Sequence, residues 1–263
     1  MKTVFLRELR LNLKNFLIWS LVVGVLGMVC VLLYQSMQGD MKEMADAFSN
    51  MGAFADAFGM STLSIATLKG YFATEVGTVH GLGSGMFAAI LAICILSREE
   101  EMHTGEFLFS MPLSRTKVVA SKGLCVAIWL VAFTVVCGLL YAISFAMLKE
   151  EIPVAEFLKF MSLQCLMNLE IAGICFAISS LSGKNRTGLG IGIAVMCYFY
   201  DIIGRVVPDV KDYLFIGPYS IANASEIFSG AKTNVAGIMT AVVVTACCVV
   251  FAFVCYNRRD LAS

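Results

Sequence analysis

The chain has 263 residues, 59% hydrophobic and only 14% charged, and its 19 basic and 19 acidic side chains sum to a net charge of zero. Soluble chains run at roughly 45–50% apolar and about 25% charged. The apolar excess is too large for one water-excluded core, which excludes soluble enzyme domains, nucleic-acid binders and disordered chains and leaves an integral membrane protein. About 30 Å of hydrocarbon at 1.5 Å per residue asks for roughly 20 apolar residues per spanning helix. Six stretches qualify, at 16–34, 71–96, 118–148, 157–181, 188–207 and 235–256. The expected fold is all-α, a polytopic membrane protein with six transmembrane helices in a single domain over 1–263. The segments of about ten alternating residues that mark a barrel do not occur.

In chain order, residues 1–14 interleave Val4, Phe5, Leu6, Leu9, Leu11 and Leu13 with Lys2, Arg7, Arg10, Lys14 and Glu8. That pattern suits an amphipathic helix lying in the inner interface, its cations on anionic headgroups. A cytoplasmic extension of the first span suits it equally. The apolar run at 16–34 is too long for a typical signal-peptide core, and the nearest A-x-A pattern, Ala45-Asp46-Ala47, lies more than ten residues beyond it. A retained helix is expected. In the outer segment 36–70, Met37, Met41, Met44, Phe48 and Met51 share one helical face before Gly52 and Gly59 interrupt it. A short helix packed on the outer ends of the spans is the expectation. The alternative is a deformable Met/Phe surface for apolar partners.

Within the spans, Gly77, Gly81 and Gly85 form two overlapping G-x-x-x-G units, and Gly188 and Gly192 a third, which predicts close helix packing. Three acids stand inside the spans: Glu75, Glu170 and Asp201. Ionised carboxylates are costly in hydrocarbon, so such groups face a protein interior or an aqueous path. For Glu170 a substrate or ion contact and a structural bond to Asn168, Ser162 or a tyrosine both stay open. Glu75 and Asp201 are candidates for the same substrate or ion path, but lie close to the surface, where the structural role leads. The last outer segment, 205–234, holds Pro208 and Pro218 and reads as short helices or a partly re-entrant hairpin. All ten cysteines fall in the spans without C-x-x-C or Cys/His spacing, so they are expected to pack as small apolar residues.

Enzyme motifs are lacking. The two histidines, His80 and His103, fall on opposite sides of the predicted membrane. Gly81-Leu82-Gly83-Ser84-Gly85 has the wrong order for a serine-nucleophile elbow. Ser182-Gly183-Lys184-Asn185 lacks the first glycine and the final Ser/Thr of a P-loop. No cofactor or metal site is expected in this chain.

With the N-terminus inside, twelve of the nineteen Lys and Arg residues fall in cytoplasmic segments and seven outside. Ten acids, among them Asp40, Glu43, Glu150 and Asp209, lie outside, so the zero net charge divides into a positive inner face and a negative outer one. The segment between the second and third spans carries most information. Arg98 and three acids, Glu99, Glu100 and Glu101, make a helical extension. Glu106, Phe107, Leu108 and Met111 then form a short amphipathic knob that Pro112 stops. An apolar knob with charged edges in the cytoplasm points to a protein partner.

The run Glu101…Thr104-x-Glu106-Phe107-Leu108…Pro112-Leu113-Ser114-Arg115, followed by Lys122, resembles the first cytoplasmic loop of ABC-2-type exporter permeases, whose pattern is E-x-x-x-x-T-x-E-x-L-x-x-x-P-x-S-R. The amphipathic-peptide and drug exporters of Gram-positive bacteria are similar in layout as well: basic N-terminal helix, six spans, proline-broken last outer segment and short basic tail. The chain departs from the pattern at His103, where many members have Gly, and places Gly105 after the threonine. The resemblance implies that the loop is a coupling helix docking into a separate ATPase subunit, with ATP and Mg held there. In that reading Glu99, Glu100, Glu101, Thr104, Glu106, Phe107, Leu108, Met111, Pro112 and Arg115 form the joint. It further implies a homodimeric permease in the bacterial plasma membrane, both termini cytoplasmic, exporting an amphipathic peptide or hydrophobic toxin. The competing expectations are an ion-coupled secondary transporter using Glu170 and a non-transporting membrane anchor.

Overall fold

The computed structural model of the chain describes residues 2–37, 39–49, 51–102, 114–181 and 183–259. Six helices are long and apolar enough to cross a membrane: α1 (Lys2–Met37), α4 (Leu68–Ile93), α6 (Arg115–Leu148), α7 (Val154–Ser179), α8 (Thr187–Val206) and α11 (Val235–Arg258). Short helices α2 (Met41–Ser49) and α3 (Ala53–Ala57) follow α1, α5 (Arg98–Glu101) follows α4, and α9 (Pro208–Lys211) and α10 (Ala224–Phe228) lie between α8 and α11. No strand occurs among the described residues. The helices stop where the sequence makes them stop. Lys149 closes α6 in the left-handed region at φ 58°, its N–H returning to Ala146 O. Pro153 caps the start of α7, and α8 ends at Val206, two residues before Pro208.

Helix α1 runs unbroken for 36 residues, about 54 Å at 1.5 Å per residue. Residues 2–14 therefore extend the first span instead of turning away from it as a separate interfacial helix. The physical reason lies on its buried face, Val4, Glu8, Asn12, Phe16, Ser20, Val23, Gly24, Gly27, Val31 and Tyr34, which continues in register from one end to the other. That face packs chiefly against α6, and also against α4. Its small residues let the backbones approach: a Cβ on Gly24 would meet Leu140 at 2.5 Å, and one on Gly27 would meet the Tyr141 ring at 2.5 Å. Packing of this kind, more than the hydrophobic effect, joins helices that lie in lipid.

Helix α7 is the most enclosed span and touches α4, α6 and α11. At the core, the Phe72 ring lies 5.3–6.1 Å from those of Tyr141, Phe145, Phe157, Phe160 and Phe228. The outward faces carry Leu21 and Leu139, Met196 and Val250 at more than half exposure. Large apolar side chains in such continuous exposure suit contact with lipid. The segment before α11 does dip into the bundle. Tyr219, Ile221, Ile227 and Phe228 are buried, and Gln164 Nε2 donates to Ala222 O at 3.2 Å. Irregular backbone among spanning helices is tolerable when protein surrounds it.

Candidate functional site

The end of the bundle that carries both chain termini gathers charges scattered through the sequence. Arg98 Nη1 donates to Glu8 Oε2 at 3.2 Å, and its Nη2 to Asn12 Oδ1 at 2.9 Å. Lys122 Nζ donates to the Ile95 carbonyl and to Glu99 Oε2, and lies 3.5 Å from Glu8 Oε1. The side chains of Glu8 and Lys122 are fully buried and that of Glu99 nearly so. Removing a charge from water costs several kcal/mol even after relaxation. Here two acids and two bases balance, which makes the burial tolerable. Three elements meet through them: α1 by Glu8 and Asn12, the α4–α5 junction by Arg98 and Glu99, and α6 by Lys122.

A second network adjoins the first. The Arg259 guanidinium pairs with Glu100 and donates to Ser180 O at 3.2 Å. Burial pushes the Glu100 carboxyl above the usual carboxylate range, an effect that Arg259 opposes. Arg115 Nη1 donates to the carbonyls of Arg259 at 2.6 Å and Asn257 at 3.4 Å, while the Asn257 amide reaches Thr116 Oγ1 at 3.3 Å. The described residues on either side of 103–113 are thus anchored to the body. Glu99 and Glu100 hold one stem, and Arg115 the other. Glu101 and Met102 are exposed where the loop departs. Thr104, Glu106, Phe107, Leu108, Met111 and Pro112 lie outside the described residues.

A family model described as "ABC-2 family transporter protein" matches residues 3–261. The chain belongs to the ABC-2 transporter family. It is accordingly the membrane-spanning permease of an ABC exporter, and the loop resemblance and the match along the chain agree. A search of the curated proteins found no match.

In this ABC-2 permease the three intramembrane acids do not converge. Asp201 is buried and paired with Arg205 one turn on, whose Nη1 also reaches Ala57 O at 3.4 Å. Glu170 is buried on α7 without an ion pair among the described residues, and Asn168, offered by the sequence as its partner, has neither amide atom hydrogen-bonded. Glu75, expected to make a structural bond, is exposed and lines a cavity at the far end of the bundle. No group of His, Cys, Asp and Glu able to hold a metal occurs among the described residues.

The glycine expectations divide. A Cβ on Gly77 would meet Ala224 at 2.6 Å, and one on Gly85 would meet the Tyr219 hydroxyl at 2.1 Å, whereas Gly81 has ordinary room. These glycines admit the re-entrant segment, not a neighbouring helix backbone. Gly188 and Gly192 have nothing within 4 Å among the described residues, because their face of α8 points out of the bundle; of the first three glycines of α8, Gly190 packs, on Ile93 and Ala89. Ser84 Oγ donates to Gly81 O at 3.2 Å in its own helix, and His80 Nδ1 lies 3.0 Å from Tyr141 OH, so no nucleophile–base pair forms. Sequence reasoning missed Glu8, Asn12 and the buried role of Lys122. The available signal was the i, i+4 run Val4, Glu8, Asn12, Phe16, a polar pair embedded in an apolar stripe.

Proposed function

We propose that this permease works as a homodimer with two copies of a separate ABC ATPase and exports amphipathic peptides or hydrophobic toxins. ATP and Mg belong to the ATPase, the membrane is the bacterial plasma membrane, and the end bearing both termini faces the cytoplasm. The observation that carries the reading is the anchoring of both stems of the 103–113 loop to α1, α6 and the end of α11. A knob formed by Glu106, Phe107, Leu108 and Met111 and gripped by the ATPase would move those helices with it, since each stem is held by ion pairs or hydrogen bonds instead of a slack linker. ATP-driven closure of the ATPases then tilts the spans as rigid bodies and reshapes the space between the two permeases.

The outward α8 face, with Gly188 and Gly192 free of contacts in the protomer, supports a second copy there, because small residues let helix backbones come close. The Met/Phe-rich outer segment and the acidic outer face support an amphipathic, preferably cationic, cargo. Replacing Phe107 and Leu108 together by Glu tests the coupling assignment. The double variant is expected to lose the ATPase on co-purification while keeping its own elution profile; an intact complex would overturn the assignment. Glu170, buried without a partner charge among the described residues, favours a second reading, an ion-coupled transporter, which predicts flux from the chain alone.

A further inference from the structure

At the end of the bundle opposite the termini, the outer helices and α4 enclose a cavity of about 360 Å³, within the range of roughly 300–1,000 Å³ typical of small-molecule sites. Its wall is apolar, formed by the Met44 thioether and the rings of Phe54, Phe58 and Tyr71 among others. The α4 face that closes it follows i, i+3, i+4, i+7 spacing: Tyr71, Thr74, Glu75 and Thr78. Three features there are not explained by packing. Glu75 places a carboxylate on an otherwise apolar wall with no ion pair among the described residues. Thr74 is 3% exposed, lines the same cavity, and its Oγ1 has no hydrogen-bond partner. Both sit in a π-helical turn, Phe72–Val76, within an otherwise α-helical span. Such turns recur at functional sites because they re-aim side chains at a cost in backbone geometry.

We infer that this cavity binds a lipophilic organic cation, an amphiphile with one positive head and an apolar body of drug size. Glu75, exposed at the cavity, supplies the countercharge, and the apolar wall around it strengthens that attraction over its value in open water. The faces of Tyr71, Phe54 and Phe58 attract the same cation through their ring quadrupoles. The methionines adapt to bodies of different shape because their side chains are unbranched and polarizable. A neutral apolar molecule gains the wall but leaves Glu75 unanswered, and an anion meets repulsion. The inference rests on the export reading for its biological meaning and names the chemistry of the cargo at the outer face, but binding itself requires neither ATPase nor transport.

The test uses the full chain purified in detergent, radiolabelled tetraphenylphosphonium as the cation, and tetraphenylborate as the anion of the same shape. Wild type is expected to bind the phosphonium saturably, with the borate a poor competitor. Glu75→Gln should weaken binding at least tenfold, and Glu75→Asp should retain most of it. Phe54→Ala should weaken it about threefold, and serves as a second probe if Glu75→Gln does not elute as a single species. Non-saturable uptake by wild type, equal binding by wild type and Glu75→Gln, or equal competition by the borate would each overturn the site. Saturable, Glu75-dependent binding without ATP-driven transport of the phosphonium would leave the site standing and count against the export reading, so the two fail separately.

Discussion

Lys122 shows how one residue changes meaning between sequence and structure. In the sequence it is one of twelve cations on the predicted inner side. In the fold its ammonium is wholly buried between Glu8 and Glu99 and also donates to Ile95 O. Lys122→Met would leave Glu8 with Arg98 and remove from buried Glu99 the cation with which it pairs among the described residues. Breaking a buried pair from one side costs about 3–5 kcal/mol, so the melting temperature of the purified variant should fall by several degrees. The double variant Glu99→Gln, Lys122→Met removes that pair whole, leaves Glu8 with Arg98, and should recover a large part of the loss. Equal melting of wild type and Lys122→Met would show that the network does not hold α1 and α6 together. The ion pairs were not legible from the sequence because their members come from three helices, and nothing in spacing tells which cation meets which acid. Glu8 and Asn12 were legible as a polar pair on a helical stripe, though not as the partners of Arg98.

At the scale of the element, helix existence and length follow from hydrophobicity, and the expected spans match the observed helices closely; 235–256, for example, is found as Val235–Arg258. Helix contacts do not follow so readily. Gly27 and Gly192 look alike in sequence, yet a Cβ on Gly27 would strike Tyr141 and one on Gly192 would meet nothing. Gly27→Val should therefore destabilise the protomer by about 1–3 kcal/mol, the usual cost of overpacking. Gly192→Ala should leave the melting of the monomer unchanged or raise it, since alanine is the better helix former. If the proposed homodimer forms through α8, Gly192→Ile should shift the purified permease toward monomer by light scattering without lowering the stability of the single chain; a dimer unchanged by the substitution would remove α8 from the interface. A G-x-x-x-G pattern says that something comes close to a helix. It does not say what, and at Gly77 and Gly85 the visitor is the segment at 218–224.

For the whole molecule, the two ends of the bundle divide the work. The terminal end concentrates charge in networks that tie α1, the α4–α5 junction, α6 and the end of α11 to one another. The opposite end holds the Met- and Phe-lined cavity around Glu75 and the looser packing of α2 and α3. In the proposed function, force applied at one end and cargo held at the other, with the spans as levers between them, is the arrangement an exporter needs. Transport by the permease and its ATPase in proteoliposomes should therefore require hydrolysable ATP and persist when an ionophore collapses the H⁺ or Na⁺ gradient. Flux that survives without ATP and vanishes with the ionophore would move the driving force to Glu170 and the secondary-transporter reading.

Composition and periodicity alone determined that the protein lies in a membrane and crosses it six times, because the bilayer fixes helix length and every spanning backbone must bond within itself; the ABC-2 kinship of its charged loop came from the resemblance of residues 101–115 to a family motif. Tertiary structure decided the rest: that residues 2–14 prolong the first helix, that Gly188 and Gly192 face outward, that Asp201 is a structural pair and Glu75 a cavity wall. It also resolved the opening net charge of zero into local arrangements: buried Glu8, Glu99 and Lys122 with half-buried Arg98 at one end, and an exposed carboxylate, Glu75, beside a cavity at the other. Those outcomes depend on which helices are neighbours and how each is rotated about its axis. In lipid, where many faces are apolar alike, rotation is set by small residues and buried polar groups that act only once the helices have met.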